Sequence, residues 1–317
     1  MRLEYQILAA FVLDLLLGDP RGMPHPVKMI GGFALRIEGP CRRLARPRTA
    51  GVIAAAAVIG VTALAAGAVI YAAGLIHPLA ADAVSTALLY TSFAAGDLAG
   101  HSRSVLRALE AGDLGEARRR VSWMVGRDTE GLDERGVTRA AVESVAENTV
   151  DGVIAPLFYA AVAGPVGALV YKAVNTLDST FGYRNERYAE FGWASARIDD
   201  VANYVPARLA VPLIALAAFI VGMDSRRAWE VALRDGRNHR SPNSGWAEAA
   251  FAGALGVRLG GPVVRGGKPE TMPSLGDPRR ELESSQIGKA NALMFAAATL
   301  ATLLFTGTRA TFVWLVA

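Results

Sequence analysis

Val52-Ile-Ala-Ala-Ala-Ala-Val58-Ile-Gly-Val-Thr-Ala-Leu64-Ala-Ala-Gly-Ala-Val69-Ile-Tyr-Ala-Ala-Gly-Leu75 carries no charged side chain and is built almost wholly from Ala, Val, Ile, Leu and Gly. The run exceeds the roughly 20 residues that an α-helix needs to cross a bilayer. In hydrocarbon every backbone amide needs a partner within its own segment, and a helix supplies one. The stretch therefore reads as a transmembrane helix. Outward from it, Leu79–Gly96 follows His77-Pro78 with one charge, Asp82, and reads as the return half of a helical hairpin. Segments 153–171, 204–222 and 292–305 are further membrane candidates, and 3–18 is a shorter one. With 52% hydrophobic and 20% charged residues among 317, the expected class is all-α. The expectation is a polytopic integral membrane helical protein with amphipathic cytoplasmic helices and loops, formed as one membrane-embedded domain over 1–317.

The 33 basic and 29 acidic residues give a net charge of +4, an ordinary membrane-protein excess and no nucleic-acid footprint. One cysteine, Cys41, excludes an intrachain disulfide or a thiolate metal cluster. Glu4 and Asp14 flank or interrupt the first apolar stretch, which argues against a cleavable leader. Connections 18–49, 97–152 and 223–290 are rich in Lys and Arg, so the positive-inside tendency puts all three in the cytoplasm of a cell-membrane protein. A simple span over 153–171 would then separate the acids on its two sides. Ala163-Gly164-Pro165 interrupts that segment, because Pro removes a helical hydrogen bond where Gly already weakens the helix. A re-entrant or buried 153–171 is therefore favoured over a simple span.

Chemistry concentrates at the ends of the apolar runs. Glu143-Ser-Val-Ala-Glu147-Asn148-Thr-Val-Asp151 stacks three carboxylates at four-residue spacing, where like charges on a helix cost about 0.2–0.5 kcal/mol per pair. Something cationic should offset that repulsion. Asp199-Asp200-Val-Ala-Asn203 is a second acidic group. Together they suggest a hard divalent ion, most plausibly Mg²⁺, shared with phosphates. The plainer alternative is a solvated helix face bridged to arginines. In Tyr171-Lys172-Ala-Val-Asn175-Thr-Leu-Asp178, a cation, an amide and a carboxylate recur at three-residue spacing. Beyond Gly182, Arg184 and Arg187 are candidate phosphate clamps or lipid-facing arginines. Asp235-Gly-Arg237-Asn-His239-Arg240-Ser-Pro-Asn243-Ser244 feeds an Ala-rich helix over Trp246–Leu255, whose free amides suit an anion. His239 is an acid or base candidate there, or a plain hydrogen-bonding loop residue. Gly261-Pro-Val-Val-Arg-Gly266-Gly267-Lys268-Pro269 imitates a P-loop, but its spacing is off by one and Pro replaces the Ser or Thr. No nucleophilic Ser or Cys constellation stands out.

These strings, with Gly18-Asp19-Pro20, Pro24-His25-Pro26-Val27 and Val125-Gly126-Arg127-Asp128-Thr129, resemble in order the adenosylcobinamide-phosphate synthase family (CbiB, also called CobD). The resemblance runs from about residue 10 to 290. It implies a multi-pass membrane enzyme of cobalamin biosynthesis that joins adenosylcobyric acid to aminopropanol phosphate as an amide, with ATP and Mg²⁺. It further implies Glu143, Glu147, Asp151, Asp199 and Asp200 as metal candidates. Asn148, Asn175, Asp178 and Asn203 would orient ligands or waters. Lys172, Arg184, Arg187, Arg237 and Arg240, beside Asn243 and Ser244, would bind ATP or the amino-alcohol phosphate. The expected partners are the corrinoid, aminopropanol phosphate, ATP and membrane lipid, with the homo-oligomeric state open. Two other classes stay open: a transporter, for which a broken helix is also suited, and a non-catalytic membrane regulator.

Overall fold

The computed structural model describes residues 1–19, 22, 25–183 and 185–316. Its helices are, in order, α1 (Leu3–Leu17), α2 (Pro26–Leu44), α3 (Pro47–Ile76), α4 (Pro78–Tyr90), α5 (Ala95–Glu110), α6 (Leu114–Val121), α7 (Glu134–Asn148), α8 (Ala155–Phe181), α9 (Trp193–Ala202), α10 (Tyr204–Ile220), α11 (Ser225–Asp235), α12 (Ser244–Leu255) and α13 (Ser285–Val316). A π-helical segment, Thr149–Ile154, joins α7 to α8. Strands β1 (Leu259–Arg265) and β2 (Lys268–Leu275) pair antiparallel. The helical membrane class expected from composition is observed, with this hairpin added to it.

Among the described residues, Pro47–Ile76, Glu134–Phe181 and Ser285–Val316 are long and apolar enough to cross a membrane; α9 with α10 makes a fourth if the pair counts as one broken span. On α3, Leu64, Tyr71, Leu75 and Ile76 are exposed, as a helix bathed in hydrocarbon requires. Its partner α4, which packs back on it across the His77-Pro78 turn, has 13 residues. At 1.5 Å per residue that is about 20 Å, short of a ~30 Å core. The break foreseen at Gly164-Pro165 is present: Ala163 and Gly164 leave helical geometry, and Gly164 has φ 65° and ψ −157°. That region is open essentially only to glycine.

The chain divides into two compact units. Met1–Ala94, Ala155–Asn203 and Thr302–Ala317 form the first; Ala95–Ile154 and Tyr204–Ala301 form the second. In the first, α2, α3, α8 and α9 close over Ile30, Ala34, Ala54, Val58, Leu177 and Phe181. Small residues let the backbones approach. A Cβ at Gly51 would stand 1.9 Å from the carbonyl oxygen of Phe191, so no side chain fits there. In the second, α11 and α12 pack so closely that a Cβ at Gly253 would meet the Arg227 carbonyl oxygen at 2.2 Å.

The P-loop imitation turns out to be the hairpin. Gly266 and Gly267, with φ 56° and 74°, make its two-residue turn, which needs positive φ at both positions. Asp128 holds that turn by accepting from both glycine amides, at 3.1 and 2.7 Å.

Candidate active site

In the second unit, α7, α12, the 236–243 loop and the hairpin enclose a cavity of about 110 Å³, lined by Arg127, Glu143, Glu147, His239, Glu248 and Arg265 among others. Glu143 and Glu147 reach it because residues four apart on α7 share a face. The cation beside them is an arginine, as the plainer alternative to a metal has it: Arg127 Nη2 donates to Glu143 Oε2 at 2.6 Å, with both side chains largely buried. The other oxygen, Oε1, accepts the Gly260 amide at 2.6 Å. Gly260 has φ 78°, and a Cβ there would lie 2.0 Å from the Pro273 carbonyl oxygen, so glycine is what lets the hairpin present this amide. Glu147 Oε1 accepts from Ser244 Oγ at 3.0 Å, which ties the first residue of α12 to α7.

Glu248, one turn further along α12, is only 6% exposed. Burial pushes its carboxyl well above the usual range, and the negative Glu143 and Glu147 push the same way, against Arg127. Its carboxyl therefore keeps its proton to higher pH than an exposed carboxylate does. His239 Nε2 lies 3.7 Å from Glu248 Oε1. Burial holds this imidazole below its ordinary value despite the opposing charge of Glu147. Its Nδ1 accepts the Ser241 amide at 3.1 Å. In the neutral ring the proton must then sit on Nε2, so His239 faces the cavity as a donor. Its packing is tight: a Cβ at Gly245 would come within 2.5 Å of His239 Cβ.

The remaining candidates fall elsewhere. Asp151 sits in the π-helical segment and is not among the residues that line the cavity; such insertions frequently mark functional sites. Asn148 donates to the Ser144 carbonyl oxygen at 2.9 Å. Asn243 Oδ1 accepts from Arg208 at 2.7 Å. Arg240 pairs with Glu270 at 2.6 Å, and Arg237 lies 5.8 Å from the Trp246 ring centroid.

The first unit holds a second polar group. Tyr171, Lys172, Asn175 and Asp178 stand on α8; Tyr171 OH donates to Asn203 Oδ1 at 2.8 Å, and Asn203 Nδ2 donates to Asp199 Oδ2 at 3.1 Å. Asp178 and Asn175 also act on Asp199. Asp199 Oδ1 is buried without a hydrogen-bond partner. Asp200 points to Arg197, at 3.2 Å. Arg187 forks over the buried Glu38 at 3.2 and 2.9 Å, with Arg42 on the same carboxylate. Arg184 lies outside the described residues, as do Pro20 and Pro24 of the first loop.

The family model for the CobD/Cbib protein matches residues 7–294. The chain belongs to this family. It is 53% identical over 299 residues to the cobalamin biosynthesis protein CobD of Geobacter metallireducens, covering 94% of each chain. It is 44% identical over 304 residues to CobD of Citrobacter koseri and 43% identical over 304 residues to the cobalamin biosynthesis protein CbiB of Salmonella arizonae, covering 95% of each chain in both cases. No solved structure matches the chain. The motifs that carried the resemblance thus belong to a CobD/Cbib chain. Reading the sequence missed Glu248 and Arg265, because one looks like an isolated acid in an Ala-rich helix and the other like part of a spurious phosphate loop.

Proposed function

We propose that the protein acts in cobalamin biosynthesis as an ATP- and Mg²⁺-dependent ligase that joins adenosylcobyric acid to aminopropanol phosphate through an amide. The observation that carries this reading is the cavity in which Glu147, the donors Glu248 and His239, and Arg265 meet. At about 110 Å³ it suits a small ligand and neither a nucleotide nor a corrin ring.

An aminoalkyl phosphate is cationic at one end and anionic at the other. Glu147, held by Ser244 at 3.0 Å, binds and orients the ammonium and takes a proton from it. The freed nitrogen lone pair attacks the phosphorylated carboxyl carbon and the C–O bond to phosphate breaks, phosphate leaving as the amide forms. Arg265, which lines the same cavity, provides charge for the phosphate. The Nε2–H of His239, and Glu248 in its protonated form, are donors for oxygen atoms on which negative charge develops. Arg127 keeps Glu143 in place, so the cavity retains one free carboxylate for the amine.

When bound, ATP supplies the phosphoryl group that activates a carboxylate, and Mg²⁺ screens the phosphate charge. Among the described residues no three His, Cys, Asp or Glu side chains form a ready metal cluster. Mg²⁺ typically takes one or two carboxylates and completes its shell with water and phosphate. The buried, unpartnered Oδ1 of Asp199, with Asp178 and Asn175 beside it, fits that donor set.

The test is purified protein in detergent with adenosylcobyric acid, aminopropanol phosphate, ATP and Mg²⁺, read by mass spectrometry. The expected result is an amide product that requires all four. Corrinoid binding with no ATP-dependent product would refute the ligase reading and favour transport. Glu147→Gln should raise KM for the aminoalkyl phosphate while leaving that for ATP near its wild-type value.

A further inference from the structure

A second cavity in the same unit, of about 330 Å³, lies where two apolar helices end: Val221, Gly222 and Met223 after α10, and Lys289 near the start of α13. Arg227, Arg279 and Arg280 also line it. Arg227 is engaged by Asp277, and the acid of the lining, Asp224, caps α11 through the Arg227 amide at 2.9 Å. Arg279, Arg280 and Lys289 have no acid partner among the described residues and are exposed. The backbone amides of Arg279 and Arg280 both donate to the Gly256 carbonyl oxygen, at 3.1 and 2.9 Å. They end α12 in this way and leave the two guanidinium groups for another anion.

The surroundings locate this cavity at a membrane boundary. Phe219 and Ile220, the last residues of α10, are 70% and 58% exposed, and Trp229 on α11 is 43% exposed. Exposed aliphatic and phenyl groups belong in acyl chain, and Trp is enriched at headgroup level. Basic cavities between membrane helices are where phospholipid headgroups bind. We infer that this cavity is a binding site for a phosphate group, delivered by an anionic phospholipid headgroup or by a soluble polyphosphate, and separate from the Glu147 cavity.

The test uses full-length protein in detergent, with phosphatidylglycerol, phosphatidylcholine and inorganic pyrophosphate as separate probes, read by native mass spectrometry. Wild type should hold phosphatidylglycerol at least about tenfold more tightly than phosphatidylcholine, and Arg279→Gln/Arg280→Gln/Lys289→Gln should abolish that preference. Arg279→Lys/Arg280→Lys, which keeps the charge, should retain most of it, and both variants should melt as wild type does. Pyrophosphate held by wild type, lost in the glutamine variant and unmatched by the lipid would uphold the site and assign it to soluble phosphate. Equal retention of the two lipids with no pyrophosphate binding, or a glutamine variant that binds as wild type does, would overturn the inference.

Discussion

Replacing Arg127 with Met should do more damage than any surface ion pair would suggest. The guanidinium sits 2.6 Å from Glu143 Oε2, and the two side chains are 12% and 6% exposed. Exposed pairs contribute about 0–1 kcal/mol, whereas removing one partner of a buried pair costs about 3–5 kcal/mol, because the remaining charge is stranded away from water. Glu143 would keep a single bond, from the Gly260 amide at 2.6 Å. For a unit of this size, about 3–5 kcal/mol corresponds to a loss of roughly 6–20 °C in melting temperature. Gly260 lies in β1, so faster amide exchange should also appear across 259–275. Arg127→Met/Glu143→Gln removes both charges and leaves an acceptor for Gly260, and it should recover about 1–3 kcal/mol as a coupling term. The assay is thermal unfolding in detergent of the two single variants and the double variant. A loss for Arg127→Met within about 0.5 kcal/mol of zero, or strict additivity in the double variant, would refute the view that Glu143 depends on this one cation.

Glu248 gives a pH signature. Its raised carboxyl means that the folded protein holds a proton which the unfolded chain releases above the ordinary value of 4.5, so stability falls with rising pH until the folded group ionises, by up to about 1.4 kcal/mol per unit. His239 acts oppositely: its lowered value adds stability as pH rises toward 6.5, and that contribution is complete above it. Because His239 contributes equally to both proteins, the difference in melting temperature between wild type and Glu248→Gln as pH rises above 4.5 should isolate Glu248, with the variant lacking the fall while its turnover drops; an unchanged pH slope would count against a buried acid. Arg237→Ala should lower kcat/KM about ten- to hundredfold for the phosphorylated amino alcohol or for ATP but not for the corrinoid. Lys should restore little, Arg240→Ala should do less because Arg240 is held by Glu270, and equal losses for all three substrates would make the loop structural. Asp199→Asn should raise the Mg²⁺ needed for half-maximal turnover at least about tenfold, and an unshifted Mg²⁺ titration would remove Asp199 from the metal assignment. Gly164→Ala should cost about 1–3 kcal/mol, given the region its backbone occupies, whereas a melting temperature equal to that of wild type would show the break to be tolerant.

Local chemistry made much of this protein legible. A 30-residue α3 follows from an uncharged apolar run, since hydrocarbon leaves the backbone few alternatives. The break at Gly164 follows from Gly-Pro, and the shared face of Glu143 and Glu147 follows from helical spacing. Each depends on neighbours within a few residues. Other features were decided only by contacts between distant segments. Gly260 reaches Glu143 across 117 positions, and Ser244 reaches Glu147 across 97. The Glu248 carboxyl is raised only because α12 buries it against the two α7 carboxylates. Arg187 reads as a phosphate clamp in sequence, yet it meets Glu38, 149 positions away. Asp151, at the same four-residue spacing, falls in a π-helical segment and outside the cavity lining. A sequence shows which groups can bear charge; burial and the partner that tertiary packing brings to each group decide which of those charges survive and what they can bind.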